Sequence, residues 1–159
     1  MRAAGRGLPN VYWNPLHEVW INLDIAKFFI DNARHGGTTA MPVTWCLYIA
    51  AGALWSAADI FDNEKHRKRL GIEGHEPAGH RERLVSYIRH GAVHYNYSQG
   101  IGASVKPGEH VDYFWWLDMA VKPRQVPLST VIDKLAAERE RIREVVRRVT
   151  GEEMIPFVP

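Results

Sequence analysis

The sequence predicts an all-α protein: an up-and-down bundle of four to five helices, with an irregular excursion before the last helix that has room for a hairpin. Two observations predict it. Apolar residues recur at helical spacing in four long segments, and the breaks between the first three are short and rich in glycine or proline. A stretch dense in glycine, proline and aromatic residues precedes the last segment. Length agrees: 159 residues, 46% of them hydrophobic and 11% aromatic, suffice for one core, so residues 1–159 read as a single domain.

Residues 1–15 read as an extended N-terminal arm. Arg2 and Arg6 are followed by Pro9, Asn10 and Pro15 with no apolar run behind them, so the arm is not expected to be a signal peptide. Leu16, Val19, Trp20, Leu23, Ala26, Ile30 and Ala33 then form one helical stripe, with Glu18, Asn22, Asp31 and Arg34 elsewhere on the cylinder. Gly36-Gly37 should end that helix.

A second helix should start near Met41 or Pro42 and carry Trp45, Ile49, Gly52 or Ala53, Trp55 or Ser56, and Ile60 on its apolar face. Its second half turns polar from Asp59 through Arg69, while Ala50, Ala51, Gly52, Ala53, Ala57 and Ala58 permit close helix approach. Gly36 to Ala58 contains no charged residue, which raises the question of a membrane span. Pro42 and several Gly, Thr and Ser residues dilute the stretch, and a helix buried among its neighbours accounts for it without a bilayer. No membrane association is expected.

Gly71, Gly74 and Pro77 mark a loop ended by Gly79. The third long helix should begin near His80, carry Leu84, Tyr87 or Ile88, Ala92 and Tyr95 on its apolar face, and close between Ser98 and Gly102. The excursion from Gly100 to Pro127 holds the aromatic run Tyr113-Phe114-Trp115-Trp116-Leu117. The last helix should open at Ser129 or Thr130, where a hydroxyl caps free amides, and run to Thr150. Val131, Leu135, Ile142, Val145 and Val149 should face inward, with Glu138 to Arg148 mostly toward water, and residues 151–159 form a C-terminal tail.

Charge and cysteine content narrow the function classes. Lys plus Arg number 20 against 18 Asp plus Glu, a net charge of +2, so any nucleic-acid site must be a local patch. The single cysteine, Cys46, excludes an internal disulfide, and no Cys/His array has zinc spacing. A cytoplasmic setting and no cofactor are expected.

Arg89-His90-Gly91-Ala92-Val93-His94 carries the most chemistry. A neutral imidazole at His94 can take the proton of a ribose 2′-hydroxyl as that oxygen attacks the neighbouring phosphorus. The planar guanidinium of Arg89 can bind the phosphate oxygens and stabilise the charge that grows on them. Such cleavage needs no metal, releases a 2′,3′-cyclic phosphate and a 5′-hydroxyl, and spares DNA. Arg89 and His94 lie about 140° apart on an ideal helix, so their convergence requires a bend near Gly91 or a second subunit supplying the facing half.

The run Tyr87 to His94 resembles the signature of the HEPN superfamily: Arg, a polar residue, three further residues, then His. The resemblance extends to the layout of helices, excursion and charged last helix, and so spans most of the chain. It implies a metal-independent endoribonuclease acting on RNA as a homodimer, in a toxin–antitoxin or phage-defence setting with an antitoxin or neutralising protein as a further partner. On this reading Arg89 and His94 are catalytic and His90 orients them. Arg81, Arg83, Tyr95, Asn96 and Tyr97 serve substrate binding. The toxin branch paired with a nucleotidyltransferase antitoxin carries Tyr two residues after its His, where this chain has Asn96.

Other readings of the same residues stay open. The motif can serve a non-catalytic dimerisation or RNA-binding module, or Arg89 can be salt-bridged to a neighbouring acid and His94 hydrogen-bonded in the core. His90 and His94, one turn apart, can bind a metal completed by His17, Glu18 or His80. The six tryptophans are expected mainly in core and interfaces. His66-Arg67-Lys68-Arg69 reads as a solvated helix end rather than a phosphate site.

Overall fold

Helix α1, Pro15–Arg34, begins where Asn14 turns its side chain back on the chain: its Oδ1 accepts the Leu16 N–H at 2.9 Å, and Pro15 fills the first helical position, where a missing N–H costs nothing. The helix therefore starts inside the arm expected over residues 1–15. The computed structural model describes residues 14–36, 43–94, 101–104, 113–117 and 123–152, with side chains for 14–36, 43–89 and 127–152. The rest of the arm, and the C-terminal tail beyond residue 152, lie outside the described residues.

The expected stripe of α1 is the buried one, from Leu16 to Ala33, with Pro15 added. Helix α2, Val43–Asp62, buries a different face from the one its large side chains suggest. Trp45 is 57% exposed and Ile49 37% exposed, while Cys46, Leu47, Ala50, Ala51, Leu54, Ala57, Ala58 and Phe61 are buried. The reason is steric, since alanines let the backbones of α1 and α2 approach closely along what is, among the described residues, the most extensive helix contact. α2 is long and apolar enough to cross a bilayer by length and composition alone, a test that a core helix also passes, and half of its most apolar window is buried inside the protein.

The polar continuation expected for this helix is a separate element. Asn63 interrupts it, and its Oδ1 accepts the N–H groups of Lys65 and His66 at 3.1 and 3.3 Å to cap α3, Glu64–Leu70. Gly71 closes α3 at φ 68°, a left-handed conformation that a side chain would strain.

Helix α4, Arg83–His94, starts three residues later than expected, because residues 80–82 remain in the loop. Leu84, Val85 and Ile88 are its described buried face, and it runs uninterrupted through Gly91. The excursion is more regular than a hairpin. Strands β1 (Ile101–Ser104), β2 (Tyr113–Leu117) and β3 (Pro123–Pro127) form an antiparallel sheet in the order β1-β2-β3. Trp116 is paired with Ile101 on one side and Arg124 on the other, so the aromatic run is the central strand. Pro123 and Pro127 end β3, an edge strand, where the missing N–H groups cost least.

Helix α5, Leu128–Thr150, follows β3 directly with Pro127 at its cap, so neither Ser129 nor Thr130 supplies the expected hydroxyl cap. Val131, Ile132, Leu135, Ile142, Val145 and Val146 are buried, with Val149 packed at the edge of the core. Glu138, expected in water, is 6% exposed. The protein is mostly helical, with five helices among the described residues, and α2 touches each of the other four.

Candidate functional site

Three apolar side chains, Leu84, Val85 and Ile88, seat α4 against the core, and Arg89 follows directly at the margin of that face, half-buried. Its guanidinium carbon lies 4.8 Å from the centre of the Trp55 ring on α2. This is cation–π distance, and the contact is worth about 0.5–2 kcal/mol according to how far it is desolvated. Among the described residues Arg89 makes no ion pair with a carboxylate.

Trp55 has a second planar neighbour. The imidazole of His80 stacks on it with ring centres 3.6 Å apart and planes 9° from parallel. The Nε2 of His80 lies 2.6 Å from Oδ1 of Asp59, one turn after Trp55 on α2. Helix periodicity thus puts the indole and the carboxylate on one side of α2, where the loop delivers a histidine to both.

That loop, residues 71–82, is held by charged side chains. Asp62 accepts the N–H groups of Ala78 and Gly79 at 2.7 and 2.6 Å. Arg141 on α5 donates to the Ala78 and Gly79 carbonyls at 2.6 and 2.9 Å and forms a two-bonded pair with Glu138 at 2.7 and 2.6 Å. Glu138 also accepts the Arg81 N–H at 3.4 Å. Hydrogen bonding to Glu138 raises the Arg141 guanidinium above its ordinary pKa, so the cation persists. Arg67, 7% exposed, donates to the carbonyls of Ile72, at 2.9 Å, and His75, and lies over the Phe61 ring. Gly79, at φ 63°, supplies the left-handed residue just before His80.

Of the expected site residues, Arg81, Arg83 and Arg89 are described with their side chains. Arg89 faces Trp55. The backbones of His90 and His94 continue α4, and their side chains lie outside the described residues, as do Tyr95, Asn96 and Tyr97 entirely. Because α4 is continuous, backbone positions 89 and 94 lie about 140° apart around its axis, as on any regular helix. Arg81 sits in the loop rather than on the helix, and its Nη2 donates to Glu76 at 3.2 Å. Arg83 is the first residue of α4 and is exposed. The stretch His66 to Arg69 is not uniformly solvated: Arg67 is buried, and the Nδ1 of His66 lies 2.9 Å from the Ile60 carbonyl. Among the described residues no three His, Cys, Asp or Glu side chains gather as a metal site.

Sequence reasoning missed the grouping of Trp55, Asp59 and His80. The spacing of Trp55 and Asp59 was the available signal. No family model matches the chain, and comparison with curated proteins and with solved structures gives no match.

Proposed function

We propose that the protein is a metal-independent endoribonuclease of the HEPN type, its helices arranged as an up-and-down bundle and its working form a homodimer in the cytoplasm. The observation that carries the reading is the state of Arg89. Its guanidinium, a planar fork of N–H donors of the kind that binds phosphate, is laid on the Trp55 ring, which gives it a set position beside α4. His94 is the proton-transferring partner and His90 orients it. A regular α4 keeps Arg89 and His94 about 140° apart, so a second subunit is the source of the facing half. RNA is the substrate, and an antitoxin or neutralising protein in a defence system is the further partner.

The test is incubation of the purified protein with end-labelled RNA, with and without EDTA. Cleavage that survives chelation and leaves a 2′,3′-cyclic phosphate is expected, with Arg89→Ala and His94→Ala each reducing the rate by about 10²-fold or more. A mass in solution of about twice the 18.2 kDa chain is expected for the active species. The same continuous helix favours a second reading, a module that binds RNA without cutting it. That reading predicts unchanged RNA and salt-sensitive binding weakened by Arg89→Ala.

A further inference from the structure

Resting on the reading of RNA as the partner, we propose that the outward face of α3, which carries Lys65, Lys68 and Arg69, is a contact surface for the phosphate backbone of RNA. The three side chains are exposed and stand at positions i, i+3 and i+4 of one helix, so they span about 100° of its surface. The opposite face holds the helix down. Arg67, 7% exposed, donates to the carbonyls of Ile72 and His75 and lies 3.8 Å from Oδ1 of Asp62, while Leu70 packs against the core. Asn63 caps the first turn of α3 and Gly71 ends the last. The cations are thus presented from a fixed helix, and their common side is the one turned away from the protein.

Charge pairing sets this face apart. Every lysine and arginine of α1 and α5 forms an ion pair with a carboxylate, so the positive charge of those helices is largely cancelled where it stands. Among the described residues Lys65, Lys68 and Arg69 form none. Glu64, at the rim of the face, and Glu73, in the loop that follows, offset part of the charge and leave it net positive. Lys68 and Arg69 suit the last turn of a helix, but Lys65 stands in the first turn, where the helix dipole disfavours a cation. A polyanion accounts for all three, because each phosphate neutralised releases counterions from the nucleic acid. Along α2 about 10 Å, or two turns, separates Trp55 from Asp62, the residue that meets Arg67 and accepts the N–H groups of Ala78 and Gly79. A single strand of a few nucleotides covers that length. The α3 cations hold phosphates outside the cleavage step, adding affinity without sequence choice.

The probe is a fluorescent single-stranded RNA, fully 2′-O-methylated so that it lacks the nucleophile for cleavage, titrated by anisotropy over a series of salt concentrations. Three proteins are compared: the parent, a variant with Lys65→Gln, Lys68→Gln and Arg69→Gln, and a control with Lys27→Gln, Arg143→Gln and Arg147→Gln, which removes the same charge from α1 and α5. For the α3 variant the slope of log affinity against log salt should be shallower by about 2, or about 0.7 per cation, with affinity lowered about tenfold or more at low salt. The control should keep the parental slope. Single replacements at the three positions, each lowering the slope by about 0.7, read the same contacts if circular dichroism shows that the triple variant does not fold. A parental slope in the α3 variants, or an equal loss in the control, overturns the α3 surface and leaves the ribonuclease reading to its own cleavage assay. A parent that binds the probe through α3 and cuts no RNA overturns the ribonuclease reading and leaves the surface standing. A parent that does not bind the probe overturns the surface outright.

Discussion

Arg89 is one residue past Ile88, a fully buried side chain, and that adjacency confines its stem to the edge of the core while the head reaches Trp55. If the indole orients the guanidinium, a smaller ring should preserve function and a missing ring should not. Trp55→Phe is therefore expected to keep RNA cleavage within about threefold of the parent, whereas Trp55→Ala should lower kcat about tenfold or more, matching a lost contact of roughly 1–2 kcal/mol. Steady-state kinetics on a single-site RNA check this, and equal rates in the two variants would show that the stack does not position Arg89. Arg89 itself was legible in the sequence because its helix is amphipathic and the motif is local. Trp55 was not. Nearly every residue of α2 is apolar, so periodicity offers no preferred face, and the deciding factor is the size of Ala50, Ala51, Ala57 and Ala58 at the contact with α1. Nor does any pattern announce that His80 arrives beside a tryptophan 25 positions earlier in the chain, since that meeting is made by the course of the loop.

At the scale of elements, loop 71–82 buries Ile72 and Ala78 in the core and is tied to α5 through Glu138 and Arg141. Glu138 is buried, so removing Arg141 alone leaves its carboxylate without its principal partner, and two loop carbonyls lose their donor. Arg141→Met should destabilise the protein by about 3 kcal/mol, and the double replacement Glu138→Leu with Arg141→Met by distinctly less, because no charge is then stranded. Urea unfolding of the three proteins measures the difference, and a double variant worse than the single would refute the account. The buried glutamate was invisible in the sequence, where it belongs to a run of alternating charges that reads as solvent-facing throughout. In contrast, the stripe of α1 was fully legible, since its apolar and polar residues are cleanly divided. Breaks were harder: Asn63 separates α2 from α3 with one side chain, and β3 passes into α5 without a side-chain cap. Gly52 offers a simpler test within α2. A Cβ placed there meets nothing within 4 Å, so Gly52→Ala should raise stability by about 0.5–1 kcal/mol in the same assay, through helix propensity alone.

For the whole molecule, the quantity to follow is global unfolding, and Cys46 reports it. It lies in α2, which touches each of the other helices among the described residues, and it is fully buried with no disulfide. Burial pushes its thiol pKa above the ordinary value. The sign of the consequence follows from linkage. Below the ordinary thiol pKa, about 8.5, both folded and unfolded chains keep the proton and the thiol adds no pH dependence. Above it the unfolded chain releases the proton and the folded one retains it, so stability falls as pH rises, by at most about 1.4 kcal/mol per pH unit, until the raised native pKa is reached. Cys46→Ala removes that slope at the cost of a small cavity. Urea unfolding of both proteins from pH 7 to pH 10 should therefore give curves that converge as pH rises, the parent losing its advantage through the window that opens at the ordinary thiol pKa. Tyr48, whose hydroxyl burial also raises, is common to both proteins and cancels in the comparison. The same burial predicts that iodoacetamide labels Cys46 in urea and leaves it unmodified in the native protein on the timescale of the urea reaction. Parallel stability curves, together with rapid labelling of the native protein, would mean that α2 opens well below the global transition and is not the element on which the other helices depend.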